Sequence, residues 1–144
     1  MTGTAPDYDE IVRVVQLYVD GFNDADVTKF QEAFHEDAWI FYTDPDGVLH
    51  NRLISGAFQH WAGEGRQIAG RIIEVTQAGD VASVLLGFDD VSDVPDPTLI
   101  SWVDFHTLIR INGVWKITNK TATHASRAAW ASDRQLQDRE ASVP

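Results

Sequence analysis

The 144-residue chain has no cysteine. That excludes disulfides, thiolate nucleophiles and zinc–sulfur sites. Basic residues are scarce, 11 Lys and Arg against 22 Asp and Glu, for a formal charge of −11. Such a surface repels phosphate backbones and anionic lipid headgroups, so neither nucleic acid nor membrane is an expected partner. No apolar run approaches the ~20 residues of a spanning helix. The opening Met1-Thr2-Gly3-Thr4-Ala5-Pro6-Asp7 has no basic or apolar region, so a signal peptide is not expected there and the chain reads as cytoplasmic. No phosphate-cradling glycine loop and no G-x-S-x-G elbow occurs. His60 and Glu64 stand four apart without a second histidine, and Asp89-Asp90-Asp93 lacks the glycine and closing glutamate of a calcium loop. Neither metal nor organic cofactor is therefore expected.

What is present suits one domain, with a core over residues 8–124 and a tail over 125–144. The chain is 44% hydrophobic with five Trp and seven Phe. An interior rich in flat side chains suits either a packed core or an aromatic ligand. Asp7 followed by Glu10 forms a capping-box-like start. Ile11, Val14, Val15, Tyr18, Val19 and Phe22 then recur as one apolar helical stripe. Asn23-Asp24-Ala25-Asp26 breaks that helix, and Asp26 is placed to cap a second one carrying Val27, Phe30, Ala33 and Phe34, with His35-Glu36-Asp37 at its end.

Beyond Phe34 the pattern changes. Ala38-Trp39-Ile40-Phe41-Tyr42, the turn cluster Thr43-Asp44-Pro45-Asp46-Gly47 and Val48-Leu49-His50 read as a hairpin. Ser55 is placed to cap a third short helix with Phe58 and Trp61, ended by Gly63 and Gly65. Strands are expected over residues 67–76, 81–88, 99–111 and 114–123, with Ala78-Gly79-Asp80 and Asn112-Gly113 as tight turns. Residues 89–97 form an acidic loop, and a helix is expected from Ala125 onward around Trp130. Helices first and an antiparallel meander after them give a segregated α+β architecture. It is a cone-shaped curved antiparallel sheet packed on N-terminal helices, with one end open as a ligand mouth.

Two segments carry a family resemblance. Ile11 to Asp26 (IVRVVQLYVDGFNDAD), followed by Phe34-His35-Glu36-Asp37-Ala38, resembles the first helices of nuclear-transport-factor-2-like proteins. Asp104 to Lys120 (DFHTLIRINGVWKITNK) resembles the final hairpin of the SnoaL-like, or putative lumazine-binding, branch. The resemblance covers roughly residues 8 to 124 and implies the cone fold and a homodimer packed on its outer sheet face. It does not imply one chemistry, because the superfamily includes isomerases, cyclases, dehydratases, epoxide hydrolases and members without known activity. Carried over residue by residue, the oxyanion-hole tyrosine of ketosteroid isomerase falls on Tyr18. Its general base falls on Tyr42 and its protonated aspartate near Thr107, two departures that argue against steroid isomerisation.

Candidate chemistry centres on Asp104 and His106, two apart on an expected strand and therefore on one face. A carboxylate beside an imidazole can orient it for proton transfer. Phe105, Thr107, Ile109 and Ile111 form the more apolar alternate set, however, so strict alternation sends Asp104 and His106 to the outer, dimer-packing face unless a bulge reverses the phase. Tyr18 is a buried phenol that must find a hydrogen-bond partner, in a ligand or in the protein. Trp39, Phe41 and Trp61 are candidate pocket walls. His50 stands near the mouth, and Asn119 alternates with Trp115 and Ile117 and so points inward. Three readings follow: a cofactor-independent lyase or isomerase (an isomerase, dehydratase or cyclase) moving protons on a small apolar or aromatic substrate, a binding module for a flat, pteridine-like ligand, and a dimer whose cone is filled by its own aromatics.

Overall fold

The computed structural model describes residues 5–44, 46–90 and 101–125. Most of the acidic 89–97 loop, the first four residues and the helix expected after Ala125 lie outside them. Helix α1 (Tyr8–Asn23) buries the stripe read from its sequence, Ile11, Val14, Val15, Tyr18, Val19 and Phe22. Asp7 does not cap it. The Asp7 carboxylate instead accepts from Gln77 (2.8 Å) and Arg110 (2.7 Å), which ties the start of the helix to the sheet. Asp26 does cap α2 (Val27–Ala33), accepting from the Thr28 amide at 2.9 Å. That helix stops before Phe34, so His35, Glu36 and Asp37 belong to strand β1 (Phe34–Thr43) and not to a helix end.

Strand β2 (Leu49–Leu53) completes the hairpin, and a 3-10 turn (Ile54–Ala57) leads into α3 (Phe58–Gly63) without a side-chain cap from Ser55. Strands β3 (Ile68–Ala78), β4 (Val81–Asp90), β5 (Ser101–Ile111) and β6 (Val114–Ala125) follow as a meander. The sheet order is β2-β1-β6-β5-β4-β3. Every neighbour pair is antiparallel except β1 and β6, which run parallel where the chain's first and last strands meet. The helices cover one face of this curved sheet, giving the expected α+β class. No described helix is long and apolar enough to cross a membrane.

Close approach positions the helices. A Cβ on Gly21 would fall 2.6 Å from the Phe30 ring, so α1 and α2 touch there through a bare backbone. Gly70 plays the same part between β3 and Val19 of α1, where an added Cβ would meet Val19 at 2.8 Å. Tyr18, Phe22, Phe30, Phe58 and Trp61 form an aromatic cluster, with ring centroids 5.2–6.3 Å apart among the contacting pairs.

The two central strands decide the site. Asn112 and Gly113 both have positive φ, 51° and 82°, and make a two-residue turn that pairs Ile111 with Val114. Counting from that turn, Trp115 lies opposite Arg110 and Ile117 opposite Leu108. Trp115, Ile117 and Leu108 are buried, so the even-numbered residues of β5 face the helices. Asp104 and His106 therefore point inward, and Phe105, 53% exposed, points out. This reverses the facing expected from the apolar alternate set, and β5 achieves it without a bulge. The bulge lies in β6: Thr107 pairs with Asn119 and Leu108 with Ile117, leaving Thr118 as the extra residue. Beyond it the phase of β6 switches, bringing Lys120 and Ala122 inward and turning Asn119 away.

Candidate functional site

Four polar side chains from three elements meet under α1. Asp104 and His106 (β5) and Lys120 (β6) are 0%, 1% and 4% exposed, and Tyr18 of α1 is fully buried above them. The Tyr18 hydroxyl donates to Asp104 Oδ2 at 3.0 Å. His106 Nε2 lies 3.2 Å from the same oxygen, and Lys120 Nζ lies 3.8 Å from it. A carboxylate accepts only, so His106 carries its proton on Nε2 in this contact. Among the described residues, Asp104 Oδ1 and His106 Nδ1 are buried without a hydrogen-bond partner. The Lys120 ammonium also sits 4.4 Å above the Trp61 ring and 5.0 Å from that of Tyr18, a cation held on two aromatic faces.

Burial and charge act on these groups in opposite senses. Burial pushes the Tyr18 phenol well above its ordinary value, and the Asp104 charge pushes the same way. Burial alone would raise Asp104. The Lys120 charge, together with the His106 and Tyr18 contacts, outweighs it and holds the carboxyl below the usual range. For Lys120 burial wins over the attraction of Asp104, and the amine lies below an ordinary lysine. The result is a buried ion pair whose cation is easier to deprotonate than usual.

Only part of this cluster meets the open space beside it. A cavity of about 290 Å³ is walled by Tyr18, Phe22, Ile40, Tyr42, Trp61 and Phe88, with Lys120 and Ala122 on its sheet side. Arg52, His60, Glu64 and Arg66 also line it, and the exposed Arg52 and His60 mark its solvent end. Asp104 and His106 stand behind Tyr18 and Lys120 and are not part of the wall. One cross-strand row explains the sheet side: Arg52 pairs with Ile40, Ile40 with Lys120, and Lys120 with His106. Paired residues project from the same face, so the row runs from the solvent end to the buried cluster.

Of the residues singled out in the sequence, Tyr18 and Trp61 line the cavity. Trp39 does not: it is 41% exposed on the outer face. Phe41 shares that outward phase, because the buried Ile40 takes the inner position between them. His50 is not in the wall either. It bonds Asp44 at 2.9 Å and stacks on Tyr42 at 5.2 Å, supporting a wall residue from behind. Asn119 is turned out by the bulge and accepts from Thr121 at 3.0 Å. Sequence reasoning missed Lys120, Tyr42, Phe22, Arg52 and Arg66. No three metal-ligating side chains converge among the described residues.

The cavity and its fold can be placed among known proteins. A solved structure from Shewanella baltica OS155, an NTF2-like protein of unknown function, is 26% identical, with a TM-score of 0.73 over 87% of this chain and 98% of that one. An NTF2-like protein of unknown function from Methylobacillus flagellatus KT is 22% identical, with a TM-score of 0.70 over 87% and 97% of the two chains. A cystatin-like domain of unknown function from Nostoc punctiforme PCC 73102 is 17% identical, with a TM-score of 0.68 over 96% and 97%. The last two likenesses concern the fold alone. No curated protein matches the chain. The family model described as putative lumazine-binding matches residues 6–122. The curved sheet and the helices packed on it are thus those of the nuclear-transport-factor-2-like superfamily, and the chain belongs to its putative lumazine-binding family.

Proposed function

We propose that this small-ligand pocket protein is a cofactor-independent enzyme moving a proton on a small, largely aromatic carbonyl compound, a lyase or isomerase. The observation that carries the reading is the Lys120 amine, facing the cavity with Asp104 behind it and its affinity for a proton reduced by burial. A lysine tuned down in this way can serve as a general base. In its neutral form Lys120 takes a proton from the carbon next to the carbonyl, and the C–H electron pair becomes an enolate. The ammonium then returns the proton to another carbon, an isomerisation, or to a departing hydroxyl that leaves as water, a dehydration. Asp104, held by Tyr18 and His106, is a positioning residue that balances the ammonium. This moves the chemistry from the Asp104–His106 pair to Lys120, which touches the ligand space.

The test is solvent exchange on small aryl ketones such as 1-indanone in D2O, followed by proton NMR. The wild type should accelerate loss of the α-proton signal, and Lys120→Met should abolish the acceleration while the ketone still binds. Ketones that bind but exchange no faster than in buffer would overturn the catalytic reading. The second reading, a binding module for a flat ring, is favoured by one observation: five of the twelve residues lining the cavity are Tyr, Phe or Trp, and Asp104 and His106 are covered. A homodimer is part of the proposal. Trp39 and its cross-strand partner Leu53 are exposed on the outer face with Phe105, a patch suited to a second copy. With no cysteine to cross-link, the protein suits the reducing cytoplasm.

A further inference from the structure

We infer that the ligand of this cavity is an anion, an aromatic or apolar body bearing a single carboxylate that Arg52 receives at the solvent end. The inference rests on the cavity reading above and adds the chemical class of what enters it. Across the whole chain acidic residues outnumber basic ones two to one. The cavity lining inverts that balance: Arg52, Arg66 and Lys120 are cationic and only Glu64 is acidic. Asp104 adds a second carboxylate behind the wall, where it is committed to Tyr18, His106 and Lys120. Glu64 is likewise committed, 2.7 Å from Arg66 and 3.8 Å from His60. Locally excess positive charge in an otherwise acidic chain favours an anion at this opening.

Arg52 is the cation left over. It forms no hydrogen bond or ion pair among the described residues, whereas Arg13, Arg66, Arg71 and Arg110 each face a carboxylate. Its place is set by the strand register. Ile40 separates it from Lys120 in the same row, so the Cα atoms of the two residues lie two strand spacings apart, about 10 Å. Between them the wall is apolar and aromatic, formed by Ile40, Tyr42 and Trp61. A guanidinium presents a planar fork that matches a carboxylate bidentately, and an unpaired one beside aromatic walls selects a flat molecule with a carboxylate at one end. The volume of about 290 Å³ lies at the small end of ligand sites, fitting one ring or two fused rings. Lys120 then meets the far end of the molecule.

Calorimetric titration of the full chain with naphthalene-2-carboxylate and with naphthalene-2-carboxamide tests this, because the two differ only in charge and terminal donors. The carboxylate should bind roughly five- to tenfold tighter at low salt. Added salt should narrow the gap, since the Arg52 end is exposed. Arg52→Gln should bring the two ligands within about twofold. Because Arg52 is exposed and unpartnered, this variant should unfold at the same temperature as the wild type, and Arg52→Lys should restore part of the preference. Equal binding of both probes to the wild type leaves the cavity reading standing and overturns the anion. An undiminished preference in Arg52→Gln overturns the role of Arg52. Failure of both probes to bind at millimolar concentration overturns the cavity reading and this inference together. Proton exchange on 1-indanone is independent of all three results.

Discussion

Replacing Asp104 by Asn tests the buried ion pair most directly. The side chain keeps its shape, so packing against Tyr18 is conserved while the charge facing Lys120 is removed. At 3.8 Å the pair is worth about 4 kcal/mol at an effective dielectric of 20. A buried pair broken from one side costs about 3–5 kcal/mol, because the remaining charge is left uncompensated. Both side chains are almost fully buried, so salt screens the pair only weakly. Urea unfolding followed by tryptophan fluorescence should show the loss as a fall in midpoint of about 2 M, for a slope of about 2 kcal/mol/M.

The pH dependence carries the sign. Asp104 is held below its unfolded value, so its contribution is present above the ordinary carboxylate range and lost as pH falls through the folded value. Lys120 is held below its unfolded value as well, so burying it charged opposes folding until the amine deprotonates at alkaline pH. Removing Asp104 lowers the Lys120 value further. The gap between wild type and Asp104→Asn should therefore close as pH falls and Asp104 takes up a proton, and close as pH rises and Lys120 loses one. Lys120→Met on top of Asp104→Asn should recover most of the loss, since no buried charge remains. A neutral-pH loss under about 1 kcal/mol, or one that does not change with pH, would refute the reasoning.

Further outcomes follow from the same contacts. Tyr18→Phe keeps the ring packing but removes the hydroxyl donated to Asp104, and should cost about 2 kcal/mol in the same urea assay. Gly21→Ala drives a methyl group against the immobile Phe30 ring and should cost about 1–3 kcal/mol, with a matching fall in melting temperature. Phe105→Glu places a charge in the exposed outer patch. Light scattering should show the wild type as a dimer and this variant as the 16.1 kDa monomer. A wild type that runs as a monomer would remove the dimer from the proposal.

Much of the architecture could be read before any coordinates. The α1 stripe, the Asp26 cap and the Asn112-Gly113 turn are local, and each rests on residues within a turn or two of chain. The facing of β5 was also legible, though by a different route from the alternation within that strand. The Asn112-Gly113 turn pairs Trp115 with Arg110 and Ile117 with Leu108, so inward Trp115 and Ile117 carry Leu108, His106 and Asp104 inward with them. Reading β5 alone chose the richer apolar set, Phe105, Ile109 and Ile111, and that set is the outer one. A sheet with apolar residues on both faces defeats alternation, and only the partner strand breaks the tie.

Composition and local pattern thus determined the fold class, the buried position of Tyr18 and the acidic balance of the chain. Tertiary structure decided which side chains share the cavity. The Thr118 bulge exchanged Asn119 for Lys120, and no residue type announces a bulge in advance, because it arises from how β6 must bend to reach both β5 and β1. Arg52 and Lys120 lie 68 residues apart in the chain and become neighbours of Ile40 only through a parallel pairing between the first and last strands. A site assembled from long-range strand register cannot be read from any one stretch of sequence, since its residues acquire their common face only when the sheet closes around the helix.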